Sequence, residues 1–188
     1  SFCAHVLDIP VSEARSLLSV TTSDLLVLER GTSTVSLLTD TNSDGAPDTK
    51  TNIATEMGLN HGLAIHGDYL YASTTTTVFR WPYKIGDKAN AGTGTPIITG
   101  MNADGNGGAP HGHKTRTLAF DNQGRLYVSI GSAGNVDMNS YRSRIRRFDL
   151  STSSFPLDFA TGEVYADGLR NEVGLAFDRF NVLWGVEN

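Results

Sequence analysis

The apolar and polar positions of this chain follow a short beat. An apolar triplet gives way to a polar turn and then to an alternating stretch, and the unit recurs four times. It runs from Arg15–Val20 into Asp24–Glu29, from Gly62–His66 into Tyr69–Ser73, from Thr117–Phe120 into Leu126–Ser129, and from Gly174–Phe177 into Val182–Val186. Leu17, Leu63, Leu118 and Leu175 mark the copies at intervals of about 46, 55 and 57 residues. Alternation with a period of two predicts strands. The nearest thing to a 3.6-residue period, Val11–Leu18, is too short and serine-rich for a helix. Further strands are predicted at Thr34–Thr39 and Thr51–Ala54, at Thr77–Trp81 and Pro96–Thr99, and at Ser143–Asp149 and Glu163–Ala166.

Repeats of this length, each with several short strands, are the mark of propeller blades. The expected fold is therefore all-β, a propeller of four-stranded antiparallel blades near residues 15–55, 61–100 and 115–167, with the start of another at 173–188. Three blades and part of a fourth do not close a propeller. The remaining blades are expected in a missing part of the same domain or in a companion chain.

Composition narrows the function classes. The chain has 188 residues, a formal net charge of −5 and only 19% charged residues. A nucleic-acid binder is usually basic, so no nucleic-acid partner is expected. No apolar run is long enough to cross a membrane as a helix, so no membrane partner is expected. Ser1-Phe2-Cys3 does not read as a signal peptide, and the segment looks excised or mature. Cys3, the single cysteine, could pair with a partner outside the segment or stay a free thiol.

Candidate chemistry lies in the loops that lead into each inner strand, because in a propeller these converge on the central axis. They carry Arg15, the pair Asn60 and His61, the stretch His111–Arg116 with two histidines, and Arg170 with Asn171. These unlike polar sets, two of them with arginine, suggest an anionic or strongly polar ligand. Elsewhere, Asp40, Asn42, Asp44 and Asp48 have the spacing of a calcium loop. The twelfth position is Thr51 and no helices flank it, so an acidic hairpin turn is the competing reading. Arg142, Arg144 and Arg146 alternate on one strand face, either as a solvated outer strand or as a docking surface for an electron acceptor.

Gly168-Leu169-Arg170-Asn171, followed by Val173–Asp178, resembles the arginine–asparagine signature of the soluble sugar dehydrogenases that use pyrroloquinoline quinone (PQQ). Gly112-His113 before Leu118–Phe120 and Leu126–Gly131 is similar to their catalytic-histidine segment. Leu183–Asn188 looks like the strand leading into their calcium loop. Ala14–Leu17 and Asp44–Asp48 look closest to the sorbosone-dehydrogenase branch, which includes fungal PQQ-dependent pyranose dehydrogenases. The resemblance implies a six-bladed domain and a secreted enzyme that oxidises a pyranose or 2-keto sugar at C1. Electrons would pass to a cytochrome or another haem protein, or to a dye. It implies His113 as general base, with His111 the alternative if the segments are offset. Arg170 would stabilise developing charge, and Arg15, Asn60 or His61, His113, Arg170 and Asn171 would contact PQQ. Calcium ligands are expected just after Asn188. The rival readings are a lactonase-like propeller hydrolase, which needs convergent carboxylates, and a non-catalytic binding propeller.

Overall fold

The computed structural model describes residues 6–101, 112–139, 141–151 and 154–188. The chain folds as consecutive antiparallel sheets, each built from a contiguous stretch. The first contains β1 (Ala14–Ser19), β2 (Asp24–Glu29), β3 (Thr34–Thr39) and β4 (Thr49–Thr55), paired in chain order. The second contains β5 (Leu63–His66), β6 (Tyr69–Ser73), β7 (Val78–Pro82) and β8 (Thr95–Thr99). The third contains β9 (Leu118–Phe120), β10 (Leu126–Ile130) and β11 (Arg144–Phe148). A short strand, β12 (Leu157–Asp158), precedes the fourth member of that sheet, β13 (Glu163–Asp167). A last pair, β14 (Glu172–Phe177) and β15 (Leu183–Glu187), forms a two-stranded sheet. This all-β succession of four-stranded antiparallel units is consistent with part of a β-propeller.

One departure from uniform four-stranded sheets concerns β12. It pairs parallel to the outer edge of the second sheet, Leu157 opposite Ile98 and Asp158 opposite Thr99. No alternation marks this stretch. Its partner is an unpaired strand edge, which offers a row of free N–H and C=O groups. Phe159, fully buried, anchors the segment, and the Asp158 carboxylate caps the following turn by accepting from Ala160 N at 2.7 Å.

Because the middle strands are covered on both faces, alternate side chains enter different cores. From β6, Leu70 and Ala72 join Leu26, Leu28 and Ile53 between the first and second sheets. Tyr71, from the same strand, joins Leu118, Leu126 and Phe148 between the second and third. Tyr127 points the other way from β10 and meets Phe177 of β14 at 4.9 Å between ring centres. Near the axis, hydroxyls fasten one sheet to the next: Ser16 Oγ donates to His61 O, Ser73 Oγ to Arg116 O at 2.8 Å, and Thr117 Oγ1 to Glu172 O at 2.5 Å.

The arginine-rich strand is not a solvated outer strand. β11 is an interior strand of its sheet, and its cations are used within the fold. Arg142 grips Asp137, Arg144 reaches Asp167 at 3.1 Å, and Arg146 donates to Ala160 O at 3.1 Å above the Phe159 ring. Arg147, on the opposite face, binds the Glu163 carboxylate at 2.6 Å.

Candidate functional site

The segments leading into β1, β5, β9 and β14 open on one cleft of about 380 Å³. Arg15, Asn60, His113, Arg170 and Asn171 all line it. So do Lys114, which lies within the singled-out stretch His111–Arg116, and Arg30, which the motif reading did not select. Arg30 comes from the far end of β2. The antiparallel pairing of Ala14 with Glu29 brings it beside Arg15, a neighbourhood that strand register would have shown. Among the described residues four cations line the cleft and no carboxylate does. At the rim, Glu13 pairs with Arg30 at 2.9 Å. Such a wall favours a polyanionic ligand.

His113 is held in one orientation by the strand end opposite. Its Nδ1 lies 2.9 Å from Ser132 O and 3.0 Å from Ser132 Oγ. The carbonyl can only accept, and the Ser132 hydroxyl spends its proton on Gly134 O. The hydrogen-bond network therefore assigns Nδ1 as the donor, which leaves the lone pair on Nε2. That is the form a proton acceptor needs. The approach is close. A Cβ on Gly131 would stand 2.6 Å from His113 Cβ and 2.9 Å from Arg170 O, so any side chain there would part the histidine from the arginine loop.

Beneath the histidine lies Arg116, fully buried. Nη1 donates to His113 O at 3.1 Å and Thr115 O at 2.8 Å, and Nε to Thr75 O at 3.0 Å. Burial pulls its guanidinium down to about 10. It ties the histidine loop to the second sheet.

Arg170 and Asn171 are fixed from several sides. Asn135 Oδ1 accepts from Arg170 Nε at 3.1 Å and Nη2 at 3.0 Å, and Asn188 Oδ1 accepts from Nη1 at 3.0 Å. Asn171 is buried, and its Oδ1 accepts from Thr115 Oγ1 at 2.8 Å. The backbone N–H groups of Arg170 and Asn171 both point at Glu187 Oε1. Asn135 sits on a turn whose shape depends on Asp137, which accepts from Ala133 N at 2.7 Å and binds Arg142 Nη2 at 2.9 Å.

Of the neighbours Asn60 and His61, only Asn60 lines the cleft; its Nδ2 donates to Lys114 O at 2.8 Å. His61 turns beneath the cleft, with Nε2 2.8 Å from Val173 O. Burial, and secondarily the nearby charge of Arg15, hold its imidazole below the ordinary value. The difference is one of direction, since successive residues in extended chain face opposite ways. His111 and Cys3 lie outside the described residues.

The acidic loop does not present its carboxylates to a common point. Asp40 accepts from Ser43 N at 2.7 Å and Gly45 N at 2.8 Å, and Asn42 accepts from Asp44 N at 2.9 Å. Asp44 accepts from Ala46 N at 2.9 Å, and Asp48 from Thr41 N at 3.0 Å. These are Asx turns, in which the side chains take backbone donors. Among the described residues no group of three or more His, Cys, Asp or Glu is placed to hold a metal ion.

Fold and cleft together define a propeller-like β protein with a cationic ligand site and an oriented histidine. The chain belongs to the TrAA12-like family, which it matches over residues 1–188. It is 34% identical over 191 residues to a pyrroloquinoline quinone-dependent sugar dehydrogenase of Hypocrea jecorina, covering 93% of this chain and 43% of that protein. The holo PQQ domain of the Coprinopsis cinerea pyranose dehydrogenase superposes with a TM-score of 0.82 at 26% identity. That match covers 95% of this chain and 44% of the domain's chain. A Trichoderma reesei structure of carbohydrate-active enzyme family AA12 gives a TM-score of 0.81 at 30% identity, over 98% of this chain and 47% of that one. The chain thus spans about half the length of the relatives it matches.

Proposed function

We propose that this chain forms the cofactor-facing half of a quinoprotein sugar oxidoreductase, a six-bladed propeller that oxidises a pyranose or 2-keto sugar at C1. The observation that carries the reading is the cleft in which an oriented histidine stands among four cations, with no carboxylate among the described residues of its wall. PQQ is a planar tricarboxylate, and that donor set fits it: charge-assisted bonds from Arg15, Arg30, Lys114 and Arg170, with amides from Asn60 and Asn171. When bound, PQQ supplies a two-electron acceptor for hydride. His113 Nε2 would take the proton of the C1 hydroxyl, which is the contribution a positioned base makes. Arg170 would steady negative charge that develops beside it.

Calcium does not fit the described residues, because no carboxylates converge. Its ligands would come from residues after Asn188. A haem protein as electron acceptor and a secreted location complete the proposal; both are taken from the resemblance alone. A lactonase-like hydrolase needs convergent carboxylates, and the described residues of the cleft wall are cations, amides and a histidine instead. A purely binding propeller is separated by titration.

The test uses the full-length protein. PQQ titrated in the presence of calcium is expected to give saturable absorbance changes for both wild type and His113→Ala. Turnover in the variant is expected to fall by about 10²–10⁴-fold. Absence of saturable binding would sink the assignment, and so would a fully active His113→Ala.

A further inference from the structure

A cavity of about 410 Å³ opens at the far end of the second and third sheets from the cofactor cleft. The cleft takes residues from the segments that lead into β5 and β9. This cavity takes residues from the turns that leave those strands, His66–Tyr69 and Gln123–Gly124, and from the segment that follows β11. The two turns close on each other. A Cβ on Gly124 would stand 2.7 Å from His66 Nε2, and the His66 ring stacks on Phe120 with 4.6 Å between ring centres.

Among the described residues Arg80 is the one guanidinium or ammonium in the wall. It stands opposite Tyr71 across β6 and β7, so Tyr69, Tyr71 and Arg80 project from one face of the second sheet. The guanidinium lies over the Tyr69 ring at 4.3 Å and over the Phe155 ring at 4.5 Å, and it bonds the Tyr71 hydroxyl. A guanidinium stacked on aromatic rings keeps its N–H edge for further partners. No carboxylate takes that edge, for among the described residues Arg80 forms no ion pair. Carboxylates line the cavity all the same: Asp68 from the turn between β5 and β6, and Asp149 from beyond β11. Asp149 already accepts from Ser151 N at 2.9 Å, whereas Asp68 is exposed at its turn.

The chemistry of this wall differs from that of the cofactor cleft. An anionic ligand would meet two carboxylates here, and a cationic one would meet the guanidinium. A neutral polyol can use both, because each hydroxyl accepts from a guanidinium and donates to a carboxylate. The Gln123 amide adds a donor and an acceptor of the same reach. The volume is that of a small-molecule site. We propose that this cavity is a second binding site, which takes one neutral pyranose unit of a glycan through charge-assisted bonds from Arg80 and to Asp68. A glycan held there leaves the cofactor cleft free, because the length of the inner strands separates the two openings. The proposal makes no use of the cofactor reading.

The test is saturation-transfer NMR on the full-length protein, with no cofactor added. The probes are the methyl glycopyranosides of glucose, mannose and galactose, which are uncharged and have no free C1 hydroxyl to be oxidised. At least one is expected to bind saturably to wild type. Arg80→Met and Asp68→Ala are each expected to weaken that binding about tenfold, the loss of one charge-assisted bond. Asp68→Ala alters an exposed turn, so it reads the site even where Arg80→Met disturbs the stacked rings. His113→Ala, at the other end of the strands, should bind the glycoside as wild type does. No saturable binding of any of the three overturns the proposal. So does binding that both cavity variants leave unchanged, binding that His113→Ala abolishes, or a cavity that takes sulfate more tightly than the glycosides.

Discussion

Replacing Arg116 by Met is the most direct test of how the histidine loop is held. Among the described residues the guanidinium donates to three carbonyls, those of Thr75, His113 and Thr115. Met keeps most of the volume and removes every donor. Each buried carbonyl left without a partner costs about 1–3 kcal/mol, or about 3–9 kcal/mol for three. The opposing effect is the relief of a buried charge. The fall of the guanidinium from 12.5 to about 10 corresponds to ~3 kcal/mol lost to desolvation, which the variant recovers. The net expectation is a loss of roughly 3 kcal/mol, about two factors of ten in the folding equilibrium. Arg116→Lys should recover part of it at most, because a single ammonium cannot serve contacts made by both Nε and Nη1. Urea unfolding of the full-length protein measures the change at unaltered m-value. A Met variant as stable as wild type, with His113 still fully active, would refute the idea that this arginine anchors the loop.

Other consequences follow from the same contacts. Ser132→Ala keeps the carbonyl and loses the hydroxyl beside His113 Nδ1; kcat/KM is expected to drop about tenfold, and steady-state kinetics decide. Arg30→Gln and Lys114→Gln should each weaken PQQ binding and flatten its dependence on salt, as seen by titration at two ionic strengths. Arg142 holds the Asp137 carboxyl well below the usual range. The stability this contributes is present above the unfolded value near 4 and lost as pH falls, so Asp137→Asn should be destabilised at pH 7 and converge on wild type in acid. Asp48→Ala should lower Tm equally with calcium and with chelator, because its carboxylate serves backbone donors; rescue by calcium would restore the metal reading.

Much of the scaffold was legible because middle strands such as β2, β3, β6 and β10 are buried along nearly their whole length and read as apolar runs. The beat that Leu17, Leu63, Leu118 and Leu175 mark put strands close to where they occur, and it put the four axial loops in one place. His113 and Arg170 were singled out by the resemblance of their segments to the sugar dehydrogenases, and both line the cleft. Arg30 was not found, since it ends a second strand and reaches the cleft only through strand register. Nor could adjacent Asn60 and His61 be told apart, for one residue's difference in an extended chain reverses the side chain. β12 carries no alternation, and its partner edge is far away in sequence. Glu172 stood out in the sequence only as an acid next to an axial loop, and nothing there marked it as buried. Its neighbour across the pair, Glu187, became visible only once β14 and β15 were in register.

The parallel strand β12 bears on cooperativity. Among the described residues every other ladder closes within one stretch of chain, and neighbouring stretches are otherwise joined by single backbone bonds such as Ala91 N to Ile53 O at 2.7 Å. Leu157 and Asp158 add a strand pairing to such links by lending the third stretch's backbone to the second sheet. In amide hydrogen exchange the second and third sheets should protect as one unit, with shared opening free energy. Two neighbouring repeats are thereby joined into a single foldon, and it is this unit that carries the oriented histidine.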